Sequence, residues 1–108
     1  MADFYIKRND TGAPLIVQLK DANDEAVVLT GASVVFRMRH SRTNRIIVDA
    51  DATIIDATTG SVKYTWAAAD TKNEGTYYGD FTVTFFDGEI QTYPNNSYIV
   101  IQIISDVK

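Results

Sequence analysis

The sequence contains no cysteine. Disulfides, thiolate-ligated zinc and thiol nucleophiles are therefore excluded. It has a single histidine, His40, which rules out a histidine-pair metal site and any acid–base scheme that needs two imidazoles. No G-x-S-x-G, P-loop or G-x-G-x-x-G signature occurs, so a nucleophile elbow and the glycine-rich nucleotide cradles are missing as well. No apolar run approaches the ~20 residues that a membrane helix needs. The opening residues MADFYIKRND carry charges and no apolar segment. No secretion signal is expected there, and synthesis in the cytoplasm follows. The net charge of −4 disfavours a general polyanion binder, so neither nucleic acid nor membrane is an expected partner. Helical periodicity, internal repeats and low-complexity tracts are also lacking.

What is present is strand pattern. The 108 residues are 45% hydrophobic and include five Phe, six Tyr and one Trp, enough large side chains for one core. Leu15, Val17 and Leu19 alternate with Ile16, Gln18 and Lys20. Val34, Phe36 and Met38 alternate with Val35, Arg37 and Arg39. Val62, Tyr64 and Trp66 share one face, as do Tyr77, Gly79, Phe81, Val83 and Phe85. Polar turns fall at residues 21–25, 41–44, 56–60 and 94–97, and Asp87-Gly88 signals a hairpin before a return strand at residues 90–93. Residues 98–104 are nearly all apolar, which predicts a strand covered on both faces or lying at an interface. About eight or nine short strands separated by turns predict an all-β, immunoglobulin-like antiparallel β-sandwich. It occupies residues 1–108 as one domain, with an N-terminal arm over about residues 1–10.

Between the two best-patterned strands lies TWAAADTKNEGTYYGD. In immunoglobulin-like sandwiches a crossover often carries an Asp, a Gly and then a Tyr whose hydroxyl bonds back to the crossover backbone. Asp70, Gly75 and Tyr77 have that order, and Trp66 would plug the core beneath. These four residues read as a structural corner.

Several segments taken together resemble a known family. They are Ile6-Lys7-Arg8-Asn9-Asp10-Thr11, Leu29-Thr30-Gly31-Ala32 running into Val34-Val35-Phe36-Arg37-Met38-Arg39, Asp56-Ala57-Thr58-Thr59-Gly60, residues 66–77, and Tyr93-Pro94-Asn95-Asn96-Ser97-Tyr98. Their order and spacing are similar to the small β-sandwich domain at the N-terminus of phage upper baseplate proteins, over nearly the whole chain. The resemblance implies a non-enzymatic structural or adaptor component of a tailed-phage virion, at the baseplate, the neck or a fibre attachment. Full upper baseplate proteins continue into a region holding the receptor-binding module, whereas this sequence stops at Lys108. The implied partners are other virion structural proteins, with homo-oligomerisation in the particle. No catalytic residue, cofactor or metal is implied.

Two features read as docking surfaces. Residues 37–45 hold Arg37, Arg39, Arg42 and Arg45 without an acid, on a chain that is otherwise acidic. Arg37 and Arg39 project from the same strand face, and guanidinium groups suit bidentate contact with carboxylates of a neighbouring subunit. The second feature is the outward aromatics Tyr78 and Phe86, a candidate partner patch unless the arm at residues 4–6 covers it. Two carboxylate groups, Asp49/Asp51/Asp56 and Asp21/Asp24/Glu25, lack calcium-site spacing and suit turns. A rival reading is a glycan- or host-surface-binding immunoglobulin-like module stacking sugars on Tyr and Trp. The core parity of Trp66 and Tyr77 weighs against it.

Overall fold

Strict alternation sets the inner face of each long strand in the computed structural model, which describes residues 2–94 and 97–105. The strands are β1 (Phe4–Lys7), β2 (Leu15–Gln18), β3 (Ser33–His40), β4 (Ile46–Asp51), β5 (Thr53–Asp56), β6 (Ser61–Tyr64), β7 (Gly75–Thr84), β8 (Ile90–Tyr93) and β9 (Ile99–Ile104). On β3, Val34, Phe36 and Met38 point inward; on β7, Tyr77, Gly79, Phe81 and Val83 do. A single 3₁₀ turn at Ala68–Thr71 separates β6 from β7.

The larger sheet runs β1-β9-β7-β3-β4, with β8 also on β7; the smaller runs β2-β6-β5. β9 pairs with Gly75–Gly79 of β7 and β8 with Phe81–Thr84 of the same strand, so β8 continues the line of β9. The chain passes between sheets at Ala52, whose N–H donates to the Val34 carbonyl at 2.9 Å. Facing rows of apolar side chains fill the sandwich. Phe36 is the hub: its ring centroid lies 4.8 Å from Tyr64, 5.0 Å from Phe81 and 6.0 Å from Trp66.

β1 pairs with β9 in parallel, Phe4 opposite Ile101 through Lys7 opposite Ile104. Residues 4–7 thus extend the sheet edge and do not lie over its face. The N-terminal flank is fastened further by the Asp3 N–H to the Val100 carbonyl and by the Val100 N–H to Asp3 Oδ2, each 2.8 Å. Of the two alternatives expected at residues 98–104, β9 departs from cover on both faces. Ile99, Ile101 and Ile103 are buried, while Val100, Gln102 and Ile104 are half-buried on the outer face, sheltered by the neighbouring strands on either side. Pro94 follows a cis peptide bond, and Asn95 and Asn96 of the expected turn lie outside the described residues.

The molecule measures 47 × 25 × 22 Å. Its long dimension matches the strand direction, since the ten residues of β7 span about 33 Å. One end carries the β3–β4 turn (residues 41–45) and the 71–75 crossover. The opposite end carries the β7–β8 turn (residues 85–89) with the loop at 28–31.

Candidate docking surfaces

The corner residues organise the first end. Tyr77 donates its hydroxyl to the Asn73 carbonyl at 2.8 Å, tying β7 to the crossover. Asp70 Oδ2 accepts the Ala67 N–H at 2.8 Å and also the Tyr64 hydroxyl. Burial, then the hydrogen bond to Asp70 and its charge, hold the Tyr64 phenol well above the ordinary tyrosine value. Trp66 is 3% exposed, packed in the core with the Phe4 ring stacked on it at 5.9 Å. Gly75 lies against the His40 ring. Thr71, fully buried, donates its hydroxyl to the Asp10 carbonyl at 3.0 Å, holding the segment after β1 to the same end.

The four arginines separate into two environments. Arg37 sits opposite both Asp49 of β4 and Asp80 of β7, and its Nε lies 3.4 Å from Asp49 Oδ1. Asp80 is half-buried; burial pushes its carboxyl up while Arg39 and Arg37 pull it down. Arg37 is thus already engaged with acids across the strands. Arg39 lies over both the Tyr78 and Tyr98 rings, 5.5 Å from each centroid, and these rings stack at 4.0 Å.

Arg42 and Arg45 stand exposed on the β3–β4 turn. That turn is internally braced. His40 Nδ1 accepts the Arg42 N–H at 3.2 Å, Thr43 Oγ1 accepts the Arg45 N–H at 3.3 Å, and Arg39 Nε donates to Asn44 Oδ1 at 3.3 Å. Ile46, 54% exposed, follows immediately. The turn is a preformed tip with two cations, and Ile46 at its base lies on the outer sheet face with Arg39 and Tyr78.

Tyr78 and Phe86, read from sequence as a single patch, are separated in the structure. Eight residues along an extended chain place them about 27 Å apart. Tyr78 belongs to the arginine-bearing face. Phe86, 85% exposed, lies in the turn at the far end, where the Phe85 N–H donates to the Glu89 carbonyl and the Gly88 N–H to the Phe85 carbonyl, each at 2.8 Å. There it lies against Gly31, whose φ is +74°; a side chain on residue 31 would meet Phe86 Cβ at 3.1 Å. Val28, Thr30, Gly31, Phe85, Phe86, Asp87 and Glu89 line an open groove of about 690 Å³, apolar with an acidic rim.

Charge divides along the strand direction. The end with the β3–β4 turn gathers Lys7, Arg8, Arg39, Arg42, Arg45 and Lys72 against Asp3, Asp10, Asp70 and Glu74. The opposite half gathers Asp21, Asp24, Glu25, Asp51, Asp56, Asp87 and Glu89 against Lys20 and Lys63. The carboxylates at 21 and 56 serve their own turns: Asp21 Oδ1 accepts the N–H groups of Asn23 and Glu25, and Asp56 Oδ1 accepts from Thr58. Among the described residues no group of three or more His, Asp or Glu side chains is placed to hold a metal ion.

Asp80, Ile46 and the groove at 28–31 were not singled out from sequence. The Asp87-Gly88 signal places Phe86 in the hairpin turn, away from the strand face of Tyr78, whereas the pairing of Arg37 with Asp49 and Asp80 depends on strand register.

The family model of the BppU N-terminal domain, a domain of phage baseplate upper proteins, matches residues 3–104. No curated protein matches the chain. Among solved structures, CopC from Methylosinus trichosporium OB3b is similar in fold, with a TM-score of 0.58 at 13% identity over 100% of this chain and 89% of that one.

Proposed function

Because the chain belongs to the BppU N-terminal domain family, and is thereby a structural component of a phage baseplate, we propose that it works as a non-enzymatic adaptor that assembles by docking onto other virion proteins. The observation that carries this reading is the family match over residues 3–104. The division of charge between the two ends supports it, since oppositely charged surfaces steer and register protein contacts. In this reading Arg42 and Arg45 meet an acidic surface on a neighbouring subunit, with Arg39 and Tyr78 flanking the contact. Repetition of the contact around the particle turns modest pairwise affinity into stable attachment. Virion location and homo-oligomerisation belong to the same proposal.

Quantitative mass spectrometry of purified particles tests it. The expected result is the chain at a fixed stoichiometry that is a multiple of three, five or six per particle. Absence from clean particles overturns the reading.

A further inference from the structure

The two ends of the molecule are complementary in charge. At one end the braced β3–β4 turn presents Arg42 and Arg45, with the exposed Ile46 at its base on the outer face of the sheet. At the other, the groove between Phe86 and Val28 is apolar and rimmed by Asp87 and Glu89. Its volume of about 690 Å³ is in the range that takes up a few side chains. We infer that this groove is the docking site for a second copy of this chain: Ile46 of one copy enters beside Phe86 of the next, and Arg42 and Arg45 meet the carboxylates of Asp87 and Glu89.

Three observations favour that occupant. An apolar side chain flanked by cations fits an apolar floor flanked by anions, and like-charged partners are disfavoured there. Both elements are preformed, the tip by His40, Thr43 and Asn44 and the groove by the hairpin bonds of residues 85–89, so little ordering cost opposes the contact. The two surfaces also lie at opposite ends of the 47 Å axis. The contact is therefore heterologous, and it repeats into a row or a closed ring. A tip in a groove is smaller than a standard interface, so each contact is weak alone.

This inference rests on the assembly reading above, but its test is separate. Sedimentation velocity of the purified full chain across a concentration series reads the contact directly. Wild type is expected to associate reversibly, and less so as salt is raised. R42E/R45E and D87R/E89R, each checked for an unchanged circular dichroism spectrum, are expected to associate at least about tenfold more weakly alone. Mixed together they are expected to associate again, because each reversed tip then faces a complementary groove. F86A is expected to weaken association in every combination.

A wild type that stays monomeric at every concentration overturns the inference. So does a mixture of the reversed variants that fails to recover, and so does loss with F86A alone while the charge reversals associate normally, which marks a symmetric Phe86 contact. None of these outcomes alters whether the chain is found in particles, so the failure of this contact and the failure of the virion reading are distinguishable.

Discussion

Tyr64 and Asp70 link the core to the crossover through one hydrogen bond, and the phenol is raised by burial and by that carboxylate. A phenol that keeps its proton more tightly when folded contributes stability that is complete below the unfolded value, about pH 10, and is lost as pH rises from there toward the folded value. Tyr64→Phe is expected to cost about 2 kcal/mol at neutral pH, as for a hydrogen bond to a charged group. It should also flatten the decline above about pH 10; urea unfolding across an alkaline pH series measures both. At Gly79 a single added atom has no room. A Cβ there would sit 2.9 Å from the Phe36 ring and 3.0 Å from Ile101 Cδ1. Gly79→Ala is expected to destabilise by about 1–3 kcal/mol through overpacking, read as a lower urea midpoint with an unchanged slope.

Among the elements, β3 and β7 were the most legible, because each alternates over many residues and buries one side against the same core. The hairpin after Phe85 also followed from local chemistry. What could not be read was lateral order. Nothing in Phe4-Tyr5-Ile6-Lys7 announces a partner about a hundred residues on, because parallel pairing leaves no local turn signal. The same limit applied to the candidate site. The cationic run was visible as a string of arginines, but register alone determines that Arg37 is paired with Asp49 while Arg42 and Arg45 stay exposed. β1 also tests the core. Its Phe4 ring shields Trp66, so Phe4→Ala is expected to shift the single tryptophan's emission to the red and to cost about 2–4 kcal/mol. Wild-type emission is expected to be blue and unmoved by added saccharides.

Over the whole molecule, the strands that begin and end the sandwich are neighbours running in the same direction. A tensile load taken up at Asp3 and delivered at Ile104 pulls β1 and β9 past each other along their length, so every rung between them is strained at once. Pulling positions 32 and 52 apart instead peels β4 from β3 rung by rung. Single-molecule stretching through the two flanks is expected to need a clearly higher rupture force than stretching through positions 32 and 52, and equal forces would contradict the shear geometry. The seam at β1 and β9 is thus a clamp: traction along the polypeptide meets the sandwich in the direction in which it is expected to yield last.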